Sequence, residues 1–414
     1  MKILQLCKKF PYPLKDGESI AVTYLSHALH DLGCDITLLS MNTSKHFTDL
    51  NSLPREFNHY KEIHVTALDN SVNAFSAFKN LFSKDSYHVS RFVCPDFKNK
   101  LIELLQNNDF DVIQLETLYL APYIDVIKKY SKALITMRAH NIEFEIWERI
   151  SSNTKFTFKK WYLKYLTGKL KRFELENLNK YDYLIAVSER DLVKFKTLGY
   201  KNGAMSSPIG LDIRNYNLKI NNKVNSDICF IGALDWMPNM EGLMWFLDKV
   251  WPEINKKYPH VKFHIAGRNT PDKLHEMNLP NVVVHGEVSD AISFMDTYNT
   301  MVVPLFSGSG MRVKILEGMA LGKTIITTGM GKEGIHAVDG VQLLEASDVQ
   351  SFIQKISDTL DGRIDTQKIG QAARQFVVDH YDHGVNAAKL LEKYKYLISN
   401  PYYQKESSKY SKGL

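Results

Sequence analysis

The stretch TMVVPLFSGSGMRVKILEGMALGKTIITT, residues 300–328, decides how this chain is read. Residues 301–305 form a short apolar run of the kind a buried parallel strand requires. Ser307-Gly308-Ser309-Gly310 follows, small residues that let backbone amides come close to a ligand. Residues 311–321 are good helix formers, Gly322 stands where a helix should stop, and 323–328 begins another strand. A helix N-terminus behind a glycine loop suits an anion, because free amides and dipole both favour negative charge. The helix is apolar almost all round, through Met311, Val313, Ile315, Leu316, Met319 and Ala320, and should be buried. Arg312, Lys314 and Glu317 then become charges beside a core, and such charges need partners. A diphosphate near the cations and a ribose under the carboxylate would supply them. A tight turn with a Lys314–Glu317 pair three residues apart would also account for the pattern.

Outward from this stretch the same alternation continues. In the second half, strands are expected at 227–231, 261–266, 281–284, 301–305, 323–327 and 341–344, with helices between them. An amphipathic helix is expected over 241–251, stopped by Pro252, and another over 367–399, before a polar tail at 400–414. The polar run KINNKVNS, residues 219–226, reads as a linker. The division expected is therefore 1–218, 219–380 and 381–414.

The first half opens as strand 2–7, helix 19–32 ended by Gly33, and strand 35–40, the βαβ start of a parallel sheet. No complete G-x-G-x-x-G accompanies it, so no nicotinamide cofactor is implied. Gly17 stands at the first strand-to-helix turn, on the edge where such sheets bind ligands. Further strands are expected at 63–68, 111–115, 133–137 and 183–187. Residues 73–108 read as helical with a break at Pro95, Ser188 as the cap of a helix over 189–198, and SPIGLD, 207–212, as a loop. After the strand at 133–137 comes Arg138-Ala139-His140-Asn141. Asn141 is a candidate N-cap for the helix beginning near Glu143. His140 falls at the carboxyl end of a parallel strand, where it suits either a site or a bond to the loop backbone.

Two parallel-sheet domains fit the length of 414 residues, too long for one ordinary core. The balance of 52 basic against 46 acidic residues, +6, permits an anionic ligand or membrane surface without calling for nucleic acid. Cys7, Cys34, Cys94 and Cys229 show no C-x-x-C spacing, so neither a disulfide frame nor a zinc site is expected, and a reducing cytoplasm fits. The opening MKILQLCKKFPYP reads as a strand in preference to a leader, and no run approaches a membrane span. Residues 155–172 carry seven basic residues and no acid, interleaved with Phe156, Phe158, Trp161, Tyr162 and Tyr165. They read as the solvated face of a packed helix, and fit a peripheral contact with an anionic membrane as the alternative.

In order along the chain, PYPLKDGESIAVTYLSHALHDLGCDITLL, ITMRAHN, YDYLIAVSERD, SPIGLD, FIGALDWMPNMEGLMWFL, FHIAGR, VVHGEVSD and VVPLFSGSGMRVKILEGMALGKTIITT resemble the family-4 retaining glycosyltransferases of the GT-B fold. The resemblance extends to about residue 380. It implies an α/β fold of two Rossmann-like domains facing across a cleft. The first would hold the acceptor and the second a nucleotide-diphosphate sugar, with a C-terminal helix crossing back to the first domain. It implies no bound metal and no cofactor besides the donor. By position Glu317 matches the second glutamate of the family's E-x7-E element, which bonds the donor ribose, while Ser309 stands where the first glutamate would be. Gly310 and Met311 match residues that offer backbone amides to the donor, His140 the histidine near the reacting sugar, and Gly17 the glycine of the first loop. Gly232 matches the start of an element that usually continues with arginine and lysine. Ala233 replaces that arginine, and Asn239 closes a segment without the lysine, so Arg312 and Lys314 are the cations expected at the diphosphate. Gly267, Arg268 and Val288 complete the donor set by the same resemblance.

The function implied is transfer of a sugar from a nucleotide diphosphate to a hydroxyl of a glycan or lipid-linked acceptor, with retention, in surface polysaccharide assembly. A cytoplasmic enzyme, peripheral at most to the inner membrane face, is the setting expected. Two other readings fit the same residues: a sugar-nucleotide 2-epimerase, and a non-catalytic nucleotide-sugar-binding subunit.

Overall fold

Lys2–Cys7 (β1), KILQLC, is buried on both sides from its second residue on, which is how a central parallel strand covered by helices should read. A computed structural model describes residues 1–14, 16–71, 80, 83, 85–154, 156–216, 226–308 and 311–400. The chain forms two units, one of Met1–Gly210 with the residues from His383 onward, the other of Leu211–Asp382. These divisions stand beside the sequence boundaries of 218/219 and 380/381. The expected linker lies, for residues 219–225, outside the described residues, as do Ser309 and Gly310.

In the first unit β1 is joined by Asp35–Thr43 (β2), Glu62–Leu68 (β3), Val112–Leu115 (β4), Leu134–Ala139 (β5), Tyr183–Ala186 (β6) and Gly203–Ser206 (β7). All pairings are parallel, in the order β3-β2-β1-β4-β5-β6-β7. Successive side chains of β1 point to opposite faces. Leu4 and Leu6 enter one cluster with Phe97, Leu101 and Ile124, while Ile3 enters another with Val22, Leu25 and Leu29 of the helix Gly17–Asp31. Asp16 caps that helix by accepting from the Ser19 amide at 3.0 Å.

The second unit repeats the scheme with Ile228–Ile231 (β8), Phe263–Ala266 (β9), Val282–Gly286 (β10), Thr300–Val303 (β11), Thr324–Thr327 (β12) and Leu344–Glu345 (β13). Its order is β10-β9-β8-β11-β12-β13, again parallel. In each sheet the winding reverses once, between β1 and β4 and between β8 and β11. The loops beyond the carboxyl ends of those strands part there, leaving a crevice.

The structure departs from the sequence expectations in several places. Strand β7, GAMS, is not among the strands expected; it lacks β-branched residues and forms as an edge strand by pairing with β6. The strand expected at 341–344 begins only at Leu344, because Gly340 (φ +75°) and a turn from Val338 to Val341 occupy the preceding residues. Pro252 does not stop its helix. Met237–Trp245 passes through a π turn at Phe246–Val250 into Trp251–Lys257, where Pro252 sits in the first turn and needs no intrahelical donor. The helix expected over 367–399 breaks at Asp382, whose backbone is extended, into Thr366–Tyr381 and His383–Ser399. The latter belongs to the first unit, where Leu390 and Tyr394 pack with Val22 and Leu25.

Candidate functional site

In the second unit the loop after β8 is fastened to the loop after β9. The Gly232 amide donates to the Ala266 carbonyl at 3.1 Å, and the Leu234 amide to the Arg268 carbonyl at 2.9 Å. Gly267 makes this fit possible, since a Cβ there would lie 2.0 Å from the Gly232 carbonyl oxygen. Across the crevice the helix Val313–Ala320 follows β11, and its residues are buried except for Lys314 and Glu317, which are half-buried. It begins two residues later than the pattern at 311–321 suggests. Arg312 occupies the N-cap position, so the first-turn amides are those of Val313 and Lys314, with Met311 outside the helix.

Lys314 and Glu317 do not pair. Lys314 Nζ donates to Asn239 Oδ1 at 2.8 Å and to the Ile231 carbonyl at 3.0 Å, and lies 4.7 Å from the centre of the Phe230 ring. A Cβ on Gly232 would meet this same ammonium at 2.9 Å. Asn239 is itself fixed, its amide nitrogen donating to the Ala233 carbonyl at 2.8 Å. Burial, then the neighbouring Arg312 guanidinium, lowers the Lys314 pKa to about 7. Glu317 turns the other way and accepts from the Tyr216 hydroxyl at 3.0 Å. Burial raises its pKa, against the pull of that hydrogen bond.

Arg312 is buried, its guanidinium 5.8 Å from the centre of the Trp236 ring. Gly308 has φ +101°, a conformation glycine adopts without strain, and a Cβ there would meet Trp236 at 2.9 Å and Arg312 Nη2 at 3.3 Å. Gly232, Asn239, Gly267, Arg268, Arg312, Lys314 and Glu317 are thus assembled around the β8/β11 crevice. Val288 stands apart from them in sheet order, in the loop after the edge strand β10, two strands from β8.

Gly17 and His140 belong to the first unit. Gly17 is the first helical residue behind the Asp16 cap, whose carboxylate also accepts from Lys9 at 2.8 Å. His140 follows β5, and its Nε2 lies 3.2 Å from Glu116 Oε2. Glu116 follows β4 and is fully buried; its Oε1 accepts from Gln5 at 2.6 Å and from Gln114 at 2.5 Å, its Oε2 from Arg138 at 3.3 Å. Burial opposes its charge, but Arg138 and then His140 outweigh it and bring its pKa to about 2. Asn141 is not a helix cap. The helix Glu143–Asn153 has Ile142 at that position, and the Glu174 carboxylate takes its first amides, from Glu143 at 3.2 Å and Phe144 at 3.0 Å. A small cavity lined by Thr117, His140, Asn141, Glu143 and Glu174 lies beside them.

Glu116, Tyr216 and Trp236 were not singled out from the sequence. A carboxylate directly after a buried four-residue strand is a signal that could have marked Glu116; Tyr216, in an irregular loop, offers none. Among the described residues no three or more His, Cys, Asp or Glu gather as a metal-ligand set.

Residues 225–362 match the model of the family described as Glycosyl transferases group 1. An uncharacterised 44.6 kDa protein in the cps region of Klebsiella pneumoniae is 22% identical over 391 residues, 92% of this chain and 96% of that protein. Among solved structures, HepE of Anabaena in complex with UDP-glucose superposes with a TM-score of 0.64 at 16% identity, over 95% of this chain and 99% of that one. Sucrose-phosphate synthase from Thermosynechococcus elongatus gives a TM-score of 0.70 at 15% identity, over 96% of this chain and 100% of that one. The second unit carries a group 1 glycosyltransferase domain, and the chain is a glycosyltransferase built from the two parallel-sheet α/β domains of the GT-B fold.

Proposed function

We propose that this protein transfers a sugar from a nucleotide diphosphate to a hydroxyl of a glycan or lipid-linked acceptor, with retention at the anomeric carbon, in the assembly of a surface polysaccharide. The observation that carries the reading is the position of Lys314, whose ammonium lies against Gly232 in a loop that has no lysine or arginine of its own. Arg312 stands at the start of the same helix. Two cations and the first-turn amides can together neutralise a diphosphate, and more strongly as it gains charge in leaving. Arg312 offers a planar fork and Lys314 a point charge. Glu317, five residues after Arg312 and facing Tyr216, takes the ribose hydroxyls through its carboxylate.

HepE is described with UDP-glucose, which makes UDP-glucose the first donor to test. The Klebsiella relative lies in a cps region, which supports a polysaccharide setting. His140 is assigned to the reacting sugar, and Glu116, bonded to its Nε2, fixes the ring. Among the described residues none stands out as a covalent nucleophile, and departure and attack on one face of the sugar is the route proposed. The four cysteines are free and buried, which fits the cytoplasmic setting proposed.

The test is calorimetric titration of the purified protein with UDP, UDP-glucose and other nucleotide sugars, followed by transfer assays that read the anomer formed. Binding of a nucleoside diphosphate that is weakened by Lys314→Ala is the expected result. Failure of every nucleotide sugar to bind, or an epimerised donor without transfer, would overturn the reading.

A further inference from the structure

We propose that the beginning of the helix Thr157–Asn177 is a docking surface for a bilayer rich in anionic phospholipid. Three large aromatic side chains are left in solvent within six residues: Phe156 is 78% exposed, Phe158 92% and Trp161 63%. Single exposed apolar residues are ordinary, but a contiguous group of aromatics marks a contact surface. At 100° per residue Phe158, Trp161 and Tyr165 share one face of the helix, and the rings of Trp161 and Tyr165 stack 6.1 Å apart at an interplanar angle of 10°. The other side carries the packing, through Leu166 and Leu170.

The basic residues of the segment divide in the same way. Lys169 points inward to the carbonyls of Asn80 and Ser83, Lys171 pairs with Glu148 at 3.1 Å, and Lys160 donates to the Ser152 carbonyl at 3.0 Å. Lys159, Lys164 and Arg172 are exposed, and no carboxylate lies within ion-pair distance of them among the described residues. Arg172 falls on the face of Trp161 and Tyr165, about three and two turns further on respectively, with Lys164 at its flank. Aromatic rings at the tip and unpaired cations along the side are what an interfacial helix presents to the acyl–headgroup boundary and to anionic lipid.

Charge complementarity selects this occupant. A second copy of the chain would bring like charges together across the contact. Single-stranded nucleic acid is held in basic grooves, whereas these rings project from one helix. No helix among the described residues is long and apolar enough to cross a membrane, so the contact is a surface one. The helix is packed on its inner side, as the solvated-face reading of the segment expects, and its first turns from Phe156 on stand in solvent.

The experiment is flotation of the full chain with vesicles of phosphatidylcholine, with and without phosphatidylglycerol. The protein should float only with the anionic vesicles and be released by salt. Phe156→Ser/Phe158→Ser/Trp161→Ser should weaken vesicle binding at least about tenfold, and Lys159→Glu/Lys164→Glu/Arg172→Glu likewise. Both variants change exposed positions, so melting temperature and UDP affinity should stay as in the parent. The inference is overturned if the parent ignores vesicles or binds neutral ones equally well. It is also overturned if the aromatic variant instead abolishes a dimer seen by light scattering or binding of an oligonucleotide. It does not depend on the donor assignment, which the UDP titration of the same variants reads separately.

Discussion

Lys314 Nζ lies 2.8 Å from Asn239 Oδ1, held at the edge of a loop that supplies no cation itself. A half-buried ammonium whose hydrogen bonds, among the described residues, go to neutral oxygens has given up solvation without gaining a counter-ion. The arrangement is ready for an anion, and its proton is loosely held until one arrives.

The affinity for a nucleoside diphosphate should therefore depend on pH through Lys314. Burial and then Arg312 lower its pKa to about 7, so above that pH the empty site is increasingly neutral. An anion favours the charged form, so binding takes up a proton, and affinity should fall by up to about tenfold per pH unit above 7. Calorimetry in buffers of different ionisation enthalpy reads the proton directly. In Lys314→Ala the uptake should vanish and UDP affinity should drop by about 1.5–3 kcal/mol. An unchanged proton count in the variant would remove Lys314 from the assignment.

Glu317→Gln should weaken UDP binding while leaving inorganic diphosphate nearly untouched, because the carboxylate is assigned to ribose alone. Tyr216→Phe removes the hydroxyl that donates to Glu317 and so raises an already raised pKa. Its UDP affinity should fall at acidic pH and recover toward the parent's as pH rises. Equal losses of UDP and diphosphate in Glu317→Gln would place that carboxylate elsewhere.

His140→Ala should lower turnover by a factor of about a hundred or more, at a stability cost near 1 kcal/mol for the lost bond to Glu116. Glu116→Gln behaves differently, because it leaves Arg138 charged and buried without its counter-ion, and should cost about 3–5 kcal/mol. The folded Glu116 pKa, about 2, is below its ordinary 4.5. The stabilisation it gives is thus complete above the ordinary value and is lost as pH falls through the folded one. Denaturant titrations of both variants at neutral and acid pH distinguish the two roles. A His140→Ala chain as unstable as Glu116→Gln would make the histidine structural.

Glu174 shows the opposite sign. Burial, and then the Glu143 carboxylate, raise its pKa from 4.5 to about 8, against the two amides it accepts. The folded chain binds the extra proton, so stability contributed by this group declines as pH rises from 4.5 to about 8 and is then flat. Glu174→Gln keeps an acceptor oxygen without a titrating charge, and should flatten that slope in denaturant titrations across the interval. A slope equal to the parent's would mean that another group causes it.

How much of this could be read from the sequence depended on how local each cause is. Buried parallel strands announce themselves as apolar runs, as β1 and β8 do, and Ser188 caps its helix as its neighbours suggest. Strand β7 was invisible because Gly203-Ala204-Met205-Ser206 carries no strand preference of its own and forms by being paired. The Asn141 cap failed for a related reason: a carboxylate thirty-one residues beyond Glu143, that of Glu174, reaches the first amides of the helix. In the site, residue types were legible but their partners were not. Lys314 and Glu317 are three apart on one helix, yet each reaches a different distant residue, Asn239 and Tyr216, that no spacing rule connects to it.

The helix His383–Ser399 has a consequence for how the molecule is made. The apolar side of Gly17–Asp31, with Val22, Leu25 and Leu29, shares its cluster with Leu390, Leu391 and Tyr394. During vectorial synthesis the earliest helix therefore emerges long before its last partners, while Leu211–Asp382 is one continuous segment whose own contacts are all available sooner. The continuous unit can close first and the discontinuous one only at the end, leaving an exposed apolar seam for chaperones in the meantime. A message cut short before Leu390 would yield a chain whose Leu211–Asp382 unit can fold and whose other unit lacks part of its core.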